Sequence, residues 1–461
     1  MQACAVFFLQ TKVMRLPVLS QHSGLRYFTF FYLYVMQGVP AGFALTALSN
    51  YLQGQHVRPE KVGTFIALVG LPWTIQFIWG PLIDRFQFSQ MGHRKHWVVL
   101  SQWLAIIASF CLFLVKDPVT ELNLLGAVFF IHSVFASIQD ASVDAIAISV
   151  APVKERGRIN GFMRGGFLLG MAFGAAVLSI VLHNFDFRTA VFVQLTVLIT
   201  FSLIFFFTKL EPTDRFLFPH FSLRRNSTKG SSAETTTSNP AIRSLFERIY
   251  SGITNKTSLQ YFGAVAWIYF TASIFIRSYT FHLITVLKWS DKSVSLLQGG
   301  WGSIITFIAI LIAGIASDRI GPKKMQIYVM WGICLFLMSL SACYVYWSNP
   351  LFSGTALVIW NFADPLLSVS VFPILMGLCL EKVEGSQFTA YLALVNLCDV
   401  LGSFLTGWLL SFISAPLLCF ICGSSLLLLL LLIRKRGTYI TIPDSSKDQT
   451  ITHNEGNLAV I

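Results

Sequence analysis

Gly80-Pro81-Leu82-Ile83-Asp84-Arg85 closes the second long apolar run of the chain, and Gly314-Ile315-Ala316-Ser317-Asp318-Arg319 closes the eighth. Glycine, aspartate and arginine keep the same spacing in both. The likeness continues outward in the same order. Asp140 in the fourth run answers to Asp364 in the tenth, and Glu155-Arg156-Gly157 to Glu384-Gly385-Ser386. All three pairs lie about 230 residues apart, which makes the chain a head-to-tail repeat of two halves.

Composition says where those halves sit. The 461 residues are 55% hydrophobic and 12% charged, whereas a water-soluble domain carries roughly 25% charged residues. Much of the surface must therefore face lipid. A span needs about 20 apolar residues, and runs of that kind fall near 27–53, 61–83, 97–115, 122–151, 159–183, 189–208, 257–287, 293–316, 326–347, 351–380, 387–413 and 415–433. The expected fold is an all-α membrane protein, with twelve transmembrane helices in two pseudo-symmetric six-helix bundles.

The organisation follows from the polar stretches. Residues 1–26 read as a cytoplasmic lead-in, because the apolar run Ala3 to Leu9 is too short for a secretory signal. An N-terminal bundle over 27–208 and a C-terminal bundle over 257–433 flank a linker, 209–256, whose Lys229-to-Pro240 centre cannot bury a core. Within it, Ile242, Leu245, Phe246 and Ile249 have the spacing of a helix lying on the membrane surface. Residues 434–461 form a tail. Placing both ends in the cytoplasm puts about 25 basic residues inside, as the positive-inside rule requires. The expected location is the plasma (inner) membrane, with the monomer as the working unit.

The net charge of +12 does not signal nucleic acid, since the basic residues sit in short loops beside apolar spans. The eight cysteines lie almost entirely within apolar runs, and Cys419-Phe-Ile-Cys422 is read as part of a lipid-exposed helix rather than a redox motif. No phosphate-binding loop, nucleophile elbow or metalloprotease helix occurs, so neither an enzyme nor an ATP-driven pump is expected, and neither metal nor cofactor.

Gly80 and Gly314 suit helix ends that approach a neighbour closely. Asp84 and Asp318 could accept from the amides of a facing helix N-terminus and latch the halves together. With Arg85, Gly92, Arg94 and Arg319 they form a candidate gate. The other reading for Arg85, Arg94, Lys95, Arg319, Lys323 and Lys324 is anchoring to lipid headgroups.

This duplicated motif resembles that of the major facilitator superfamily. The spacer Phe86-Gln-Phe-Ser-Gln-Met91 before Gly92-His93-Arg94-Lys95 is similar to that of the AmpG-like muropeptide permeases and the related acetyl-coenzyme A and siderophore carriers. Leu71 to Gly80, Gln139-Asp140-Ala-Ser-Val-Asp144-Ala145 and Glu155-Arg156-Gly157 with Asn160-Gly161 resemble the same family. The resemblance implies alternating access, with spans 1, 4, 7 and 10 lining a cavity that Asp140, Arg277 and Asp364 should reach. It also implies a small-molecule substrate and, as partners, protons and the bilayer. The chain departs from the muropeptide pattern after Asp144, where Ala-Ile-Ala-Ile-Ser-Val replaces an expected basic residue. An exporter or facilitator, and from another class a receptor or membrane-embedded enzyme, are the alternatives.

Charges within spans carry the mechanistic expectation, because each costs at least about 2.5–3.5 kcal/mol at the bilayer centre. Asp140 and Asp144, four residues apart, share one helix face. Asp364 and Asp399 fall near the midplane. These four are the candidate proton carriers, against the alternative of fixed ion pairs, and Arg164 is the expected counter-ion of Asp144. Arg164 and Arg277 could balance a negative solute. Gln37 and Asn50 flank Gly38-Val-Pro40-Ala-Gly42, read either as an opened helix that exposes backbone to substrate or as an ordinary kink. Trp73, Asn361 and Asn396 complete the substrate candidates.

Overall fold

The computed structural model describes residues 18–86, 89–150, 152, 155–212, 214, 254, 256–378 and 384–436. The lead-in before residue 18, most of the 209–256 segment with its expected surface helix, and the tail after Arg436 lie outside the described residues. So do the side chains of Asp84, Arg85 and Asp318 and the surroundings of Gly314.

A backbone in lipid must satisfy its own hydrogen bonds, and the apolar runs do so as helices. In the first half these are α1 (Ser23–Gly54), α2 (Pro59–Ile78, continued by Trp79–Arg85), α3 (Lys95–Leu114), α4 (Leu122–Val150), α5 (Arg156–Ala172, Phe173–Val177, Leu178–Asn184) and α6 (Phe187–Phe207). The second half holds α7 (Lys256–Phe281, extended by His282–Val286), α8 (Asp291–Ser295, Leu296–Trp301, Gly302–Ile320), α9 (Pro322–Ala342), α10 (Pro350–Trp360 and Ala363–Gly377), α11 (Glu384–Leu409) and α12 (Ala415–Arg436). Among the described residues, eleven helical stretches are long and apolar enough to cross a bilayer. The run from Asp291 to Ile320 fills the remaining expected position.

Local chemistry sets the ends. Asp186 accepts the Thr189 amide at 2.6 Å to start α6, and Asn349 accepts that of Leu351 at 2.9 Å to start α10. Pro59, Pro322 and Pro350 occupy first turns, where a missing N–H costs nothing.

The duplication is written in the backbone as well. His56 (φ 57°) and Lys288 (φ 59°) both take the left-handed conformation just before the second helix of their half. Gly92 (φ 124°) and Gly321 (φ 88°) repeat a positive φ after that helix. Each pair is about 230 residues apart, the offset found in the sequence.

Each half has its own apolar interior. Clusters around Phe43, Phe65 and Phe129, and around Phe30, Val98 and Phe205, belong to the first half. Those around Phe275, Leu337 and Trp360, and around Tyr261 and Tyr391, belong to the second. Among the described residues no apolar cluster joins the two.

Within the first half, α1 and α5 touch backbone to backbone. A Cβ at Gly38 or Gly42 would lie 2.3 Å from the carbonyl oxygen of Phe167 or Met171, and one at Gly170 would lie 2.3 Å from that of Val35. This corrects the substrate reading of Gly38-Val-Pro40-Ala-Gly42. The stretch stays α-helical through Gly42 and serves close packing. The helix loosens only afterwards, as a π turn over Phe43–Leu48.

Candidate functional site

We call the face bearing the start of α1 and the ends of α6 and α12 the terminal face, and the opposite one the distal face. Towards the distal face the halves meet along two related seams. Where α2 crosses α11, a Cβ at Gly63 would lie 2.7 Å from the Ser403 carbonyl oxygen, and one at Gly407 2.5 Å from that of Pro59. Where α5 crosses α8, a Cβ at Gly299 would overlap that of Ala175. Small residues thus let the bundles close.

Polar bonds finish the seal. Asn50 donates to Ser295 at 3.0 Å, His183 meets Asp291 at 3.0 Å, Ser411 donates to Glu60, and Arg277 donates to the Leu45 carbonyl at 3.2 Å. Among the described residues, the polar bonds that cross between the bundles all lie in the distal half of the molecule. Asn50 therefore sits in the seal.

Beyond the seal, towards the terminal face, lie the buried charges. Gln76 donates to Asp140 at 2.5 Å and Tyr34 donates to Asp144 at 2.5 Å. Gln76 reaches across because α2 breaks after Thr74 and continues as a 3-10 turn over Gln76–Ile78. Gln37 is buried beside the same pair, with both amide atoms unpartnered. Asp144 is thus met by a neutral phenol rather than by Arg164, a correction to the expected ion pair. Arg164 points elsewhere: its charge acts on Asp140, Asp364 and Tyr269, and it makes no hydrogen bond or ion pair among the described residues. Arg164 and Asp364 are both exposed. Arg164 lies about 17 Å along α5 from the Ala175 contact. Accessible charged side chains from both bundles therefore lie on the terminal side of the distal seam.

Asp364 opens the second segment of α10, after a break at Asn361 and Phe362. Asn361 holds that break against α8, donating to the Leu297 carbonyl at 3.4 Å while its own carbonyl accepts from Thr306 at 3.1 Å. Asp399 and Arg277 face each other at 3.9 Å, which leaves Arg277 engaged with its own half and with α1. Trp73 and Asn396 are half-buried.

The gate residues sort differently from expectation. A Cβ at Gly80 would meet nothing within 4 Å, so the close approach expected of this glycine is not made among the described residues. Gly92 is required on two counts, its φ of 124° and the Asp214 carboxylate 2.7 Å from where a Cβ would stand. Arg94 donates to the Ala145 carbonyl at 3.2 Å. Lys95 is buried and caps α6 through the carbonyls of Phe206 and Thr208, at 2.9 and 2.7 Å. Lys95 is thus a helix cap rather than a headgroup anchor. Arg319 is exposed at the end of α8.

Sequence reasoning missed Tyr34, Gln76, Tyr269 and the His183–Asp291 pair. Nothing in their local sequence marks them, since each acts on a partner far along the chain. The spacing Gly166-x-x-x-Gly170-x-x-x-Gly174 was a legible signal of the α1/α5 contact. Among the described residues no group of three or more His, Cys, Asp or Glu could hold a metal ion.

The family model of the Major Facilitator Superfamily matches residues 27–407. The anhydromuropeptide permease of Escherichia coli (strain K12) is 28% identical over 134 residues, 29% of this chain and 27% of that protein. A putative transporter AmpG 1 of Rickettsia typhi is 33% identical over 182 residues, 36% of this chain and 40% of that protein. These alignments span well under half of either relative. The crystal structure of nucleoside transporter NupG superposes with a TM-score of 0.64 at 13% identity, covering 90% of this chain and 100% of that one. That likeness establishes the fold.

Proposed function

The chain belongs to the Major Facilitator Superfamily, and from that premise we propose that this integral membrane transporter is a proton-coupled importer. Its solute is a medium-sized organic molecule, such as a muropeptide-like cell-wall fragment, carried by alternating access. The relatives' names support the solute class. The observation that carries the coupling is the pair Asp140 and Asp144. Both are held by neutral donors, Gln76 and Tyr34, and neither has a cation within ion-pair distance among the described residues. A carboxylate pair on one helix face, free of fixed counter-charge, can take up and release a proton as the bundles rock.

In this reading the terminal face is cytoplasmic, the protein works as a monomer in the plasma (inner) membrane, and 209–256 links bundles 27–208 and 257–433. The conformation described is open to the cytoplasm. Asp364 and Asp399 are further proton candidates. Gly80, Asp84, Arg85, Gly92, Arg94, Gly314, Asp318 and Arg319 serve the cytoplasmic gate, which engages when the distal seam parts. Trp73, Arg164, Asn361 and Asn396 face the solute path, and Gln37 lies buried behind it.

The test is uptake into proteoliposomes under an imposed pH gradient. Asp140→Asn should keep the fold and solute exchange while losing gradient-driven accumulation. Accumulation at the unmodified level in that variant overturns the assignment.

A further inference from the structure

A cavity of about 300 Å³ runs between α9 and α10. Its α9 wall reaches from Met325 to Phe336, and its α10 wall is formed around the break at Asn361, from Ile359 to Leu366. Chain order and helix pitch fix its orientation. Since α9 starts at the terminal face, the Met325 end lies there, and Phe336 stands about 17 Å deeper along the helix. The hydrocarbon core of a bilayer is about 30 Å thick. The groove therefore has the depth of one leaflet.

Its walls are those of a slot for hydrocarbon. Among the described residues that line it, only Tyr328 and Trp360 carry a polar side-chain atom. Leu366 lies two residues beyond Asp364, about 200° round the helix, so the groove and that carboxylate occupy opposite sides of α10. The other wall, α9, packs on α8, α10 and α12 of its own half. Tyr328 and Ile359 on the rim are 62% and 49% exposed, and they face lipid. Two features open the gap: the break in α10, and Gly332 in the α9 wall, where a Cβ would meet nothing within 4 Å. Packed protein rarely leaves voids larger than a water molecule. A space of this size and depth on a lipid-facing surface suits an acyl chain.

Charge at the mouth selects among lipids. The turn leading into α9, Asp318-Arg319-Ile-Gly-Pro-Lys323-Lys324, carries three cations and one acid. Arg319 and Lys324 are exposed. Lys324 stands one turn before Tyr328 on the same helix face, so its ammonium lies at the terminal end of the groove. Tyrosine is favoured at the level of the headgroups. A basic side chain at that level favours an anionic lipid about fivefold.

We propose that this groove binds one acyl chain of an anionic phospholipid from the leaflet at the terminal face. The chain lies along α9 from Met325 to Phe336, and the headgroup meets Lys324. It packs against the break in α10 on the side away from Asp364. The site depends neither on which solute is carried nor on proton coupling.

The test uses the full-length protein in detergent with a trace of phosphatidylglycerol bearing a diazirine in mid-chain. After illumination, peptide mass spectrometry locates the cross-links. They should concentrate between Met325 and Phe336 and between Ile359 and Leu366. Unlabelled phosphatidylglycerol should displace the probe at concentrations at least about fivefold lower than phosphatidylcholine does. Gly332→Leu fills the groove with its own side chain and should cut labelling of these segments several-fold, with unchanged elution in size-exclusion chromatography. Lys324→Gln should lower the preference for phosphatidylglycerol about fivefold while leaving labelling by the corresponding phosphatidylcholine probe in place.

Labelling spread evenly over other lipid-facing residues such as Ile312, Leu335 and Trp408 would overturn the proposal. So would equal displacement by the two lipids, which marks a general apolar slot, or unchanged labelling in Gly332→Leu that elutes normally. An unchanged lipid preference in Lys324→Gln overturns it as well, and because that position is exposed, this variant decides the matter even where Gly332→Leu fails to fold.

Discussion

The imidazole of His183 in α5 and the carboxylate of Asp291 in α8 meet at 3.0 Å across the distal seam. They belong to different bundles, so this contact must part whenever that face opens. Tyr51 of α1 stacks edge-on against the same imidazole, with ring centroids 5.9 Å apart, and Lys292 reaches Asn184 beside it at 3.4 Å.

Removing the pair should favour opening of the distal face. Both groups are partly exposed, so the pair contributes only about 0.2–1 kcal/mol, a change of up to about fivefold in the ratio of open to closed forms. His183→Ala should show this as longer spin-label distances between the ends of α5 and α8.

Gly170 tests the α1/α5 contact. A side chain there meets the Val35 carbonyl oxygen at 2.3 Å and the Gly38 Cα at 2.9 Å, both backbone atoms that cannot move aside. Overpacking of this kind costs about 1–3 kcal/mol or more. Gly170→Val should sharply reduce the monodisperse yield in size-exclusion chromatography. Gly332→Val is the control, since nothing lies within 4 Å of that position.

Tyr34→Phe deletes the donor to Asp144 and leaves a carboxylate inside the bundle without its hydrogen-bond partner. Breaking a hydrogen bond to a charged group costs about 1.5–3 kcal/mol. The unfolding midpoint should fall, and Tyr34→Phe combined with Asp144→Leu should recover part of the loss. No recovery would mean that the phenol acts through packing alone.

Asp214 gives a pH prediction outside the membrane. Its carboxylate accepts the amides of Leu210 and Glu211 at 3.0 and 2.9 Å and lies against Gly92. Burial raises its proton affinity above the ordinary carboxylate range, although those amides and Lys95 pull the other way. A raised carboxylate contributes fully at pH below the unfolded value, and that contribution is lost as pH rises through the folded one. Asp214→Asn should therefore raise the unfolding midpoint slightly at neutral pH and leave it unchanged at acid pH. A lower midpoint at neutral pH would show that the attraction to Lys95 dominates.

The fold was largely legible because its signals are local. Twenty apolar residues in a row need no partner to declare a span, and Gly80 to Arg85 against Gly314 to Arg319 declares the repeat within a few residues. The site was legible only in part. Asp140, Asp144, Asp364 and Arg164 stand out because charge is rare in such runs, whereas their partners do not. Asp144 was assigned to Arg164 by depth alone, and depth says nothing about the direction in which a side chain leaves its helix. Tyr34 won that contact from α1. Asn50 lies near Gln37 in sequence yet belongs to the seal, because α1 runs from the buried carboxylates to the distal face.

Among the described residues no apolar cluster bridges the bundles, and small residues line the crossings between them. Each half should therefore fold and insert as a self-sufficient piece. Expressed from two separate messages divided within 209–256, the fragments should find each other in the membrane and restore a working carrier, since what unites them is shape rather than a shared interior.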